Sequence, residues 1–188
     1  MVSTTRQRLT EVSLQLFAAR GYEGVGVQEI VAAAGVTKPT LYHYFGSKKG
    51  LLAALLSEQL EPLAVRLRAA GAFDGDLPLT LNRVTRAFFE FAAAHPELYR
   101  LVLSLSSAPP DSDAAQAFAP FARASRERLE RLFTDASNTR VKTRARQLAA
   151  TFLGMVHTWI ALALQGQATL DDELTFQAVH QYMHGIYA

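Results

Sequence analysis

A chain of 188 residues, almost half of them hydrophobic, is long enough for one compact domain or two small ones sharing a helix. The absence of cysteine excludes disulfides, thiol nucleophiles and thiolate zinc sites, and the first residues lack the apolar run and cleavage site expected of a secretory signal. The net charge of +2 is too small for indiscriminate nucleic-acid binding, but residues 1–50 carry six basic against three acidic side chains while the remainder carries thirteen against fourteen.

In chain order, Leu9, Val12, Leu16 and Phe17 mark the apolar face of a first helix that ends near Arg20-Gly21. A short second helix spans about Val27 to Ala34, with Ile30 and Val31 turned inward. Gly35 suits the left-handed turn that ends it, and Thr37 and Pro39 suit the cap and first turn of a third helix reaching Phe45. Leu41 and Phe45, four apart, anchor one side of that helix. Lys38, Thr40, Tyr42, His43 and Tyr44 are left facing outward, as in the second helix of a helix-turn-helix.

Ser47 can cap a long fourth helix striped by Leu51, Leu52, Leu55, Leu56 and Leu60, in which Pro62 predicts a kink. Residues 71–76 read as a loop, and Pro78 opens a fifth helix ending near His95-Pro96. A sixth runs from Glu97 to Leu105, and residues 106–113 are a connector. A seventh runs from Phe118 to Phe133, entered or bent at Pro120. An eighth runs from Asn138 to about Gln165, and Asp171-Asp172 opens the last, expected to continue through Tyr187. The apolar run Leu148–Leu164 is short for a membrane span and contains Thr151, His157 and Thr158, so a buried core helix is expected.

The last two helices carry more apolar surface than one small chain readily covers. Val156, Ile160, Ala163, Val179, Met183 and Ile186 are the candidate dimer interface, four such helices forming a bundle about a two-fold axis. His180 and His184 lie four apart, but with no Glu between them and no third ligand a satisfied or interfacial pair is the better reading, and no metal is expected. Ser104, Ser106 and Ser107 stand outside any G-x-S-x-G, and neither a P-loop nor a G-x-G-x-x-G is present, so an enzyme has no constellation to rest on.

The ordered run Thr5-Arg6, Leu16-Phe17, Gly21-Tyr22, Ile30-Val31, Ala34 to Thr37, Leu41 to Phe45, Ser47-Lys48 and Leu51-Leu52 resembles the TetR/AcrR family of bacterial transcriptional regulators over roughly residues 5–55. The resemblance implies an all-α fold of about nine helices. Residues 1–47 would form a three-helix helix-turn-helix DNA-binding domain, and a long fourth helix would join it to a helical bundle for ligand binding and dimerisation at 48–188. It implies a homodimeric, cytoplasmic repressor released from a palindromic operator by a small molecule, with no cofactor and no membrane partner. Activation, or regulation by a protein partner, is the alternative.

By position, the resemblance assigns DNA contacts to Gln28, Thr37, Lys38, Thr40, Tyr42, His43 and Lys48, with Tyr42 and Lys48 on phosphates. Val25-Gly26 departs from the family's usual Thr followed by Ser or Thr, and Lys49-Gly50 from its frequent acidic pair. Lys48 and Lys49 are candidates for the sequence-independent electrostatic contribution. For an apolar or aromatic ligand the candidates are Phe88, Phe91, Tyr99, Leu103, Phe118, Phe121, Phe152, Met155 and Trp159, with His95, Arg100, Gln116, Arg123 and His157 as possible polar partners. Movement of the fourth helix about Pro62 would carry the ligand signal.

Overall fold

In the computed structural model, residues 4–136 and 138–185 are described. Among them the secondary structure is helical and without strands: α1 (Thr5–Arg20), α2 (Val27–Ala34), α3 (Lys38–Phe45), α4 (Lys48–Ala70), α5 (Leu77–Ala94), α6 (Pro96–Ser106), α7 (Asp113–Asp135), α8 (Thr139–Lys142), α9 (Ala145–Leu164) and α10 (Asp172–His184). They gather into two compact units. The first holds the chain up to Leu60 together with Glu97–Ala122, and the second holds Glu61–Pro96 together with the chain from Arg123. The backbones of α4 and α7 contribute to both.

In the first unit, α1 opens on a capping box. The Gln7 N–H donates to Thr4 Oγ1 at 3.3 Å while the Thr4 N–H donates to Gln7 Oε1 at 2.9 Å. Leu9 and Phe17 are buried as the pattern predicts, but Val12 and Leu16 are half-buried and Ser13 takes the fully buried place between Leu9 and Phe17. Helix α2 turns Ile30, Val31 and Ala34 inward and ends at Gly35, whose φ of 66° lies in the left-handed region that a side chain rarely enters. Leu51, Leu52, Leu55, Leu56 and Leu60 of α4 are all buried, each burial contributing about 1.5–3 kcal/mol before chain entropy is charged against it.

In the second unit, the Asp76 carboxylate caps α5 by accepting from the Leu79 N–H at 2.8 Å. Helix α5 buries Leu81, Val84, Phe88, Phe91 and Ala92 and packs on α9 and α10. Phe133, Phe152 and Tyr182 form an aromatic cluster with ring centroids 5.4–6.4 Å apart, and the Tyr182 hydroxyl donates to the Leu148 carbonyl at 2.7 Å. Arg86 of α5 pairs with Asp172 of α10 at 2.9 Å.

Several boundaries differ from the sequence expectation. Pro62 is not one of these differences, since it lies inside α4 as expected. Helix α7 begins at Asp113 rather than Phe118, because Ser112 accepts from the Ala115 N–H at 3.1 Å and caps it early. The single helix expected from Asn138 to Gln165 is divided into α8 and α9, which makes ten helices rather than nine. Asn138 starts a turn by accepting from the Arg140 N–H at 2.8 Å, and the Thr143 hydroxyl donates to the Arg140 carbonyl at 3.2 Å, competing with helix continuation. Helix α10 ends at His184, and the expected extension to Tyr187 falls outside the described residues. Helix α9 is long and apolar enough to cross a membrane by length and composition, yet only 22% of its most apolar window is buried, so it is a core helix on one face only.

Candidate nucleic-acid interface

The α2–turn–α3 unit presents its second helix with little of it committed to the core. Of the eight residues of α3 only Leu41 is buried. Phe45 is half-buried, with the Arg6 guanidinium carbon 5.4 Å from its ring centroid, and Arg6 itself pairs with Glu58. Tyr42 and Tyr44 are 47% and 43% exposed, large aromatic groups left in water along with Lys38 and His43. The His43 and Tyr44 rings meet edge to face at 5.3 Å.

Thr37 stands at the N-cap of α3, but its hydroxyl makes no cap bond. It pairs instead with the Thr40 hydroxyl at 2.9 Å. The first-turn N–H groups of α3 are therefore left for another acceptor, which at a helix N-terminus suits a phosphate. Gln28 is exposed on the first turn of α2. Gly26 caps that helix through its backbone: its N–H donates to Glu29 Oε2 at 3.3 Å, and Arg20 holds the same carboxylate at 3.1 Å while donating to the Gly24 carbonyl at 2.6 Å. The Arg20 hydrogen bond holds the Glu29 carboxyl below its ordinary range. Val25, where the resemblance leads one to expect threonine, is buried.

The basic residues are not equally available. Lys48 donates to the Tyr22 and Val25 carbonyls at 2.9 and 3.0 Å, and its ammonium lies 3.9 Å from the Tyr22 ring centroid. An ammonium has three N–H groups, so one remains for a phosphate. Lys49 is held by Asp113 at 3.5 Å and by Gln116. Arg6 and Arg20 are paired with carboxylates. Among the described residues of this segment, Lys38 and Arg8 stand outside the ion pairs. Arg8 was not singled out from the sequence. A Cβ built on Gly35 would lie 3.6 Å from its Nη2, which puts the guanidinium against the turn, a contact across 27 positions that no local pattern signals.

Lys48→Met is expected to destabilise the chain by about 2 kcal/mol, because two loop carbonyls lose a charged donor and the Tyr22 ring loses its cation. Urea denaturation measures this. A variant as stable as the parent would mean that water replaces the ammonium without cost.

The residues expected to bind a ligand are divided between the units. Tyr99 and Phe118 are buried in the first, where Leu103 and Phe121 are half-buried and the Phe118 and Phe121 rings are 5.7 Å apart. Phe88, Phe91 and Phe152 are buried in the second, where Met155 and Trp159 are half-buried. There Phe88 meets His157 edge to face at 6.3 Å, and burial pushes the His157 imidazole down to about 4. His95 is exposed with its ring 4.7 Å from that of Phe91, Arg123 is exposed, and Gln116 is engaged by Lys49.

One narrow slot in the second unit, of about 10 Å³, is lined by Leu67, Gly71, Val84, Phe88, Ser125, Arg128, Leu129 and Leu132. Of the expected ligand residues, Phe88 lines it. The others could not be singled out, because leucine and valine at helical spacing read as ordinary core.

Of the residues expected between protomers, Val156, Ile160 and Val179 are buried within the chain itself, Ala163 and Met183 are half-buried, and Ile186 lies outside the described residues. The accessible apolar groups of these helices include the half-exposed Leu153, Met155, Trp159 and Leu162 and the 59%-exposed Phe176. Phe176, His180 and His184 stack along α10 with centroids 5.7 and 4.7 Å apart. Among the described residues no group of three or more potential metal ligands comes together.

Residues 9–55 match the family model "Bacterial regulatory proteins, tetR family", and residues 81–182 match "Tetracyclin repressor-like, C-terminal domain". The chain is 35% identical over 97 residues to the HTH-type transcriptional activator FasR of Mycolicibacterium smegmatis, a match covering 52% of this chain but only 44% of that relative's length. Its fold is similar to that of FadR from Bacillus subtilis in complex with stearoyl-CoA, with a TM-score of 0.78 at 18% identity over 95% of this chain and 98% of the other. It is also similar to AibR in complex with isovaleryl coenzyme A and operator DNA, with a TM-score of 0.71 at 24% identity over 95% and 97%.

Proposed function

Because the chain belongs to the TetR family of bacterial regulatory proteins, we propose that it is a homodimeric repressor held on a palindromic operator and released by a small, largely apolar or aromatic ligand. The family consists of DNA-binding transcriptional regulators, not enzymes. One observation carries the reading: α3 buries Leu41 alone and exposes two tyrosines, a histidine and a lysine. A helix that leaves its aromatic and cationic groups in water is suited to a partner outside the fold, and groups of these kinds grip phosphates and reach base edges.

In this reading residues 1–47 bind DNA and residues 48–188 bind the ligand and the second protomer. Tyr42, the third N–H of Lys48 and the uncapped start of α3 meet phosphates. Lys38, Thr40 and His43 meet bases or the adjacent backbone, and Gln28 and Thr37 flank them. The half-exposed apolar flank of α9, with Ala163 and Met183, forms the two-fold interface over the buried Val156, Ile160 and Val179. With DNA as its target, the chain works in the cytoplasm. The two structural neighbours in complex with an acyl-coenzyme A support a ligand with an apolar chain. The ligand acts by favouring the DNA-incompetent state, through α4 and its Pro62.

Selection from random duplex DNA at moderate salt tests this reading. An enriched palindrome is expected. Binding should weaken with salt at a slope of roughly −5 in log–log form, since Arg8, Lys38 and Lys48 of each protomer are the cations left for the DNA backbone. Salt-sensitive binding without enrichment would refute sequence-specific regulation by the free protein. A second reading, activation, is favoured by the likeness to FasR, a transcriptional activator. A reporter placed downstream of the selected operator separates the two by the sign of its response.

A further inference from the structure

Two lysines open α4, and the fold treats them differently. Lys48 donates to two backbone carbonyls, which are neutral acceptors, so its charge stays available to a polyanion. Lys49 lies 3.5 Å from the Asp113 carboxylate and also donates to Gln116 Oε1, so its charge is met within the fold. Both of these acceptors stand at the start of α7, three positions apart and on one face. That stretch of helix exists because Ser112 caps α7 ahead of Phe118, by accepting from the Ala115 N–H at 3.1 Å. The Gln116 amide is oriented as well: its Nε2 donates to the Asp111 carbonyl at 3.2 Å, which leaves Oε1 turned to Lys49.

The contact joins the start of α4 to the start of α7 inside the first unit. Lys49 is four residues beyond Phe45, the last residue of the helix proposed to read DNA. At a place where the resemblance leads one to expect an acid, the chain carries a cation beside that helix and then an anion that offsets it. Asp113 also lies close enough to Tyr22, whose ring the Lys48 ammonium covers, to oppose ionisation of the Tyr22 hydroxyl. One carboxylate thus serves the neighbourhood of both lysines. Lys49 and Asp113 are 37% and 57% exposed, so the pair can open without unfolding anything.

We propose that Lys49 is a phosphate contact held in reserve and that Asp113 sets DNA affinity by withholding it. Giving Lys49 to a DNA phosphate would exchange one oxyanion for another and leave the Asp113 carboxylate uncompensated beside a polyanion. The exchange gains little, so the parent chain binds DNA with Lys49 still latched. Without the carboxylate the balance changes. The ammonium keeps only the neutral Gln116 and adds its charge to those of Arg8, Lys38 and Lys48. Asp113 is therefore a positioning residue that acts through Lys49, and DNA and the start of α7 compete for one ammonium. This inference rests on the DNA-binding part of the reading above, and not on the ligand or on repression.

The test measures the salt dependence of duplex binding by the full chain, with the selected operator and with a random-sequence duplex. Phosphate contacts are sequence-independent, so both duplexes register them. Asp113→Asn keeps Ser112 as the cap of α7 and should steepen the log–log slope by roughly 2, since two freed lysines per dimer contribute about 0.9 each. Its gain in affinity over the parent should accordingly be about twelve-fold larger at 50 mM salt than at 200 mM. Adding Lys49→Met to Asp113→Asn should return the slope to about −5, the parent value. Asp111→Asn, an equal charge change at an exposed residue outside the ion pairs, should leave the slope within about 0.5 of the parent. An unchanged slope in Asp113→Asn overturns the inference. So does a steepening that survives Lys49→Met, which would assign the effect to general repulsion between Asp113 and DNA, or one that Asp111→Asn reproduces. None of these touches sequence-specific regulation. Conversely, selection that enriches no operator sinks that reading, while a slope that still responds to Asp113 through Lys49 upholds the latch. Failure of the parent and every variant to bind either duplex overturns both.

Discussion

Gly50→Ala is expected to destabilise the chain by about 3 kcal/mol and to abolish operator binding. Helix propensity alone gives the opposite sign, since glycine inside a helix costs about 1 kcal/mol relative to alanine. The surroundings decide. Gly50 is in the first turn of α4, where its N–H donates to Ser47 Oγ at 2.9 Å, and a Cβ there would lie 2.0 Å from the Phe45 carbonyl oxygen and 3.2 Å from its carbonyl carbon. These are backbone atoms at the end of α3, so no side chain can swing aside. Relief requires moving the end of α3 away from the start of α4, and α3 is the helix proposed to read DNA. Gly154 in α9 is the control, because a Cβ there meets nothing within 4 Å in the chain. Gly154→Ala should stabilise by up to about 1 kcal/mol. Urea denaturation of both variants is decisive, and a stabilised Gly50→Ala would show that the turn between α3 and α4 is looser than its geometry.

The second large effect is on acid stability. The His157 imidazole is held near 4 by burial, against an ordinary 6.5. Its folded value is depressed, so below pH 6.5 the unfolded chain takes up a proton that the folded chain refuses. Stability should be level above about pH 7 and fall as pH drops from 6.5 to 4, by roughly 3 kcal/mol in all. Glu29 and Asp74, whose carboxyls are held low by Arg20 and Arg83, lose their contributions at still lower pH, beneath the ordinary carboxylate range. Replacing His157 by glutamine, which carries no titratable group, should flatten the profile between pH 4 and 6.5 while leaving the lower limb in place. An unchanged profile would assign the acid lability to another group.

The parts of the molecule legible in the sequence are those fixed by neighbours a few residues away. Gly35, Pro39 and Leu41 define a turn and a short helix within seven positions, and α2 and α3 stand where those residues put them. Boundaries set by an unremarked serine or threonine, as at Ser112 and Thr143, were displaced or missed. The engagement of Lys48 spans 23 and 26 positions to Val25 and Tyr22, and no local pattern encodes it. Helix α9 is apolar around most of its circumference, so periodicity marks Val156 and Ile160 as apolar without telling which side the chain itself covers. Among aliphatic helices a slot differs from a core only in how well the side chains fill the space. Leu129 and Leu132 have the same spacing whether they touch each other or a ligand.

That α3 commits Leu41 alone to the core has a consequence on the timescale of evolution. Substitutions at exposed positions away from caps and networks usually change stability by less than about 0.5 kcal/mol. Lys38, Tyr42, His43 and Tyr44 can therefore be rewritten almost without regard to whether the chain still folds. A fold sitting just above its stability threshold tolerates few changes elsewhere. Here the residues proposed to choose the operator are largely separate from those that hold the helices together. A duplicated copy of this gene could acquire a new operator through a handful of substitutions on one helical face, keeping its core.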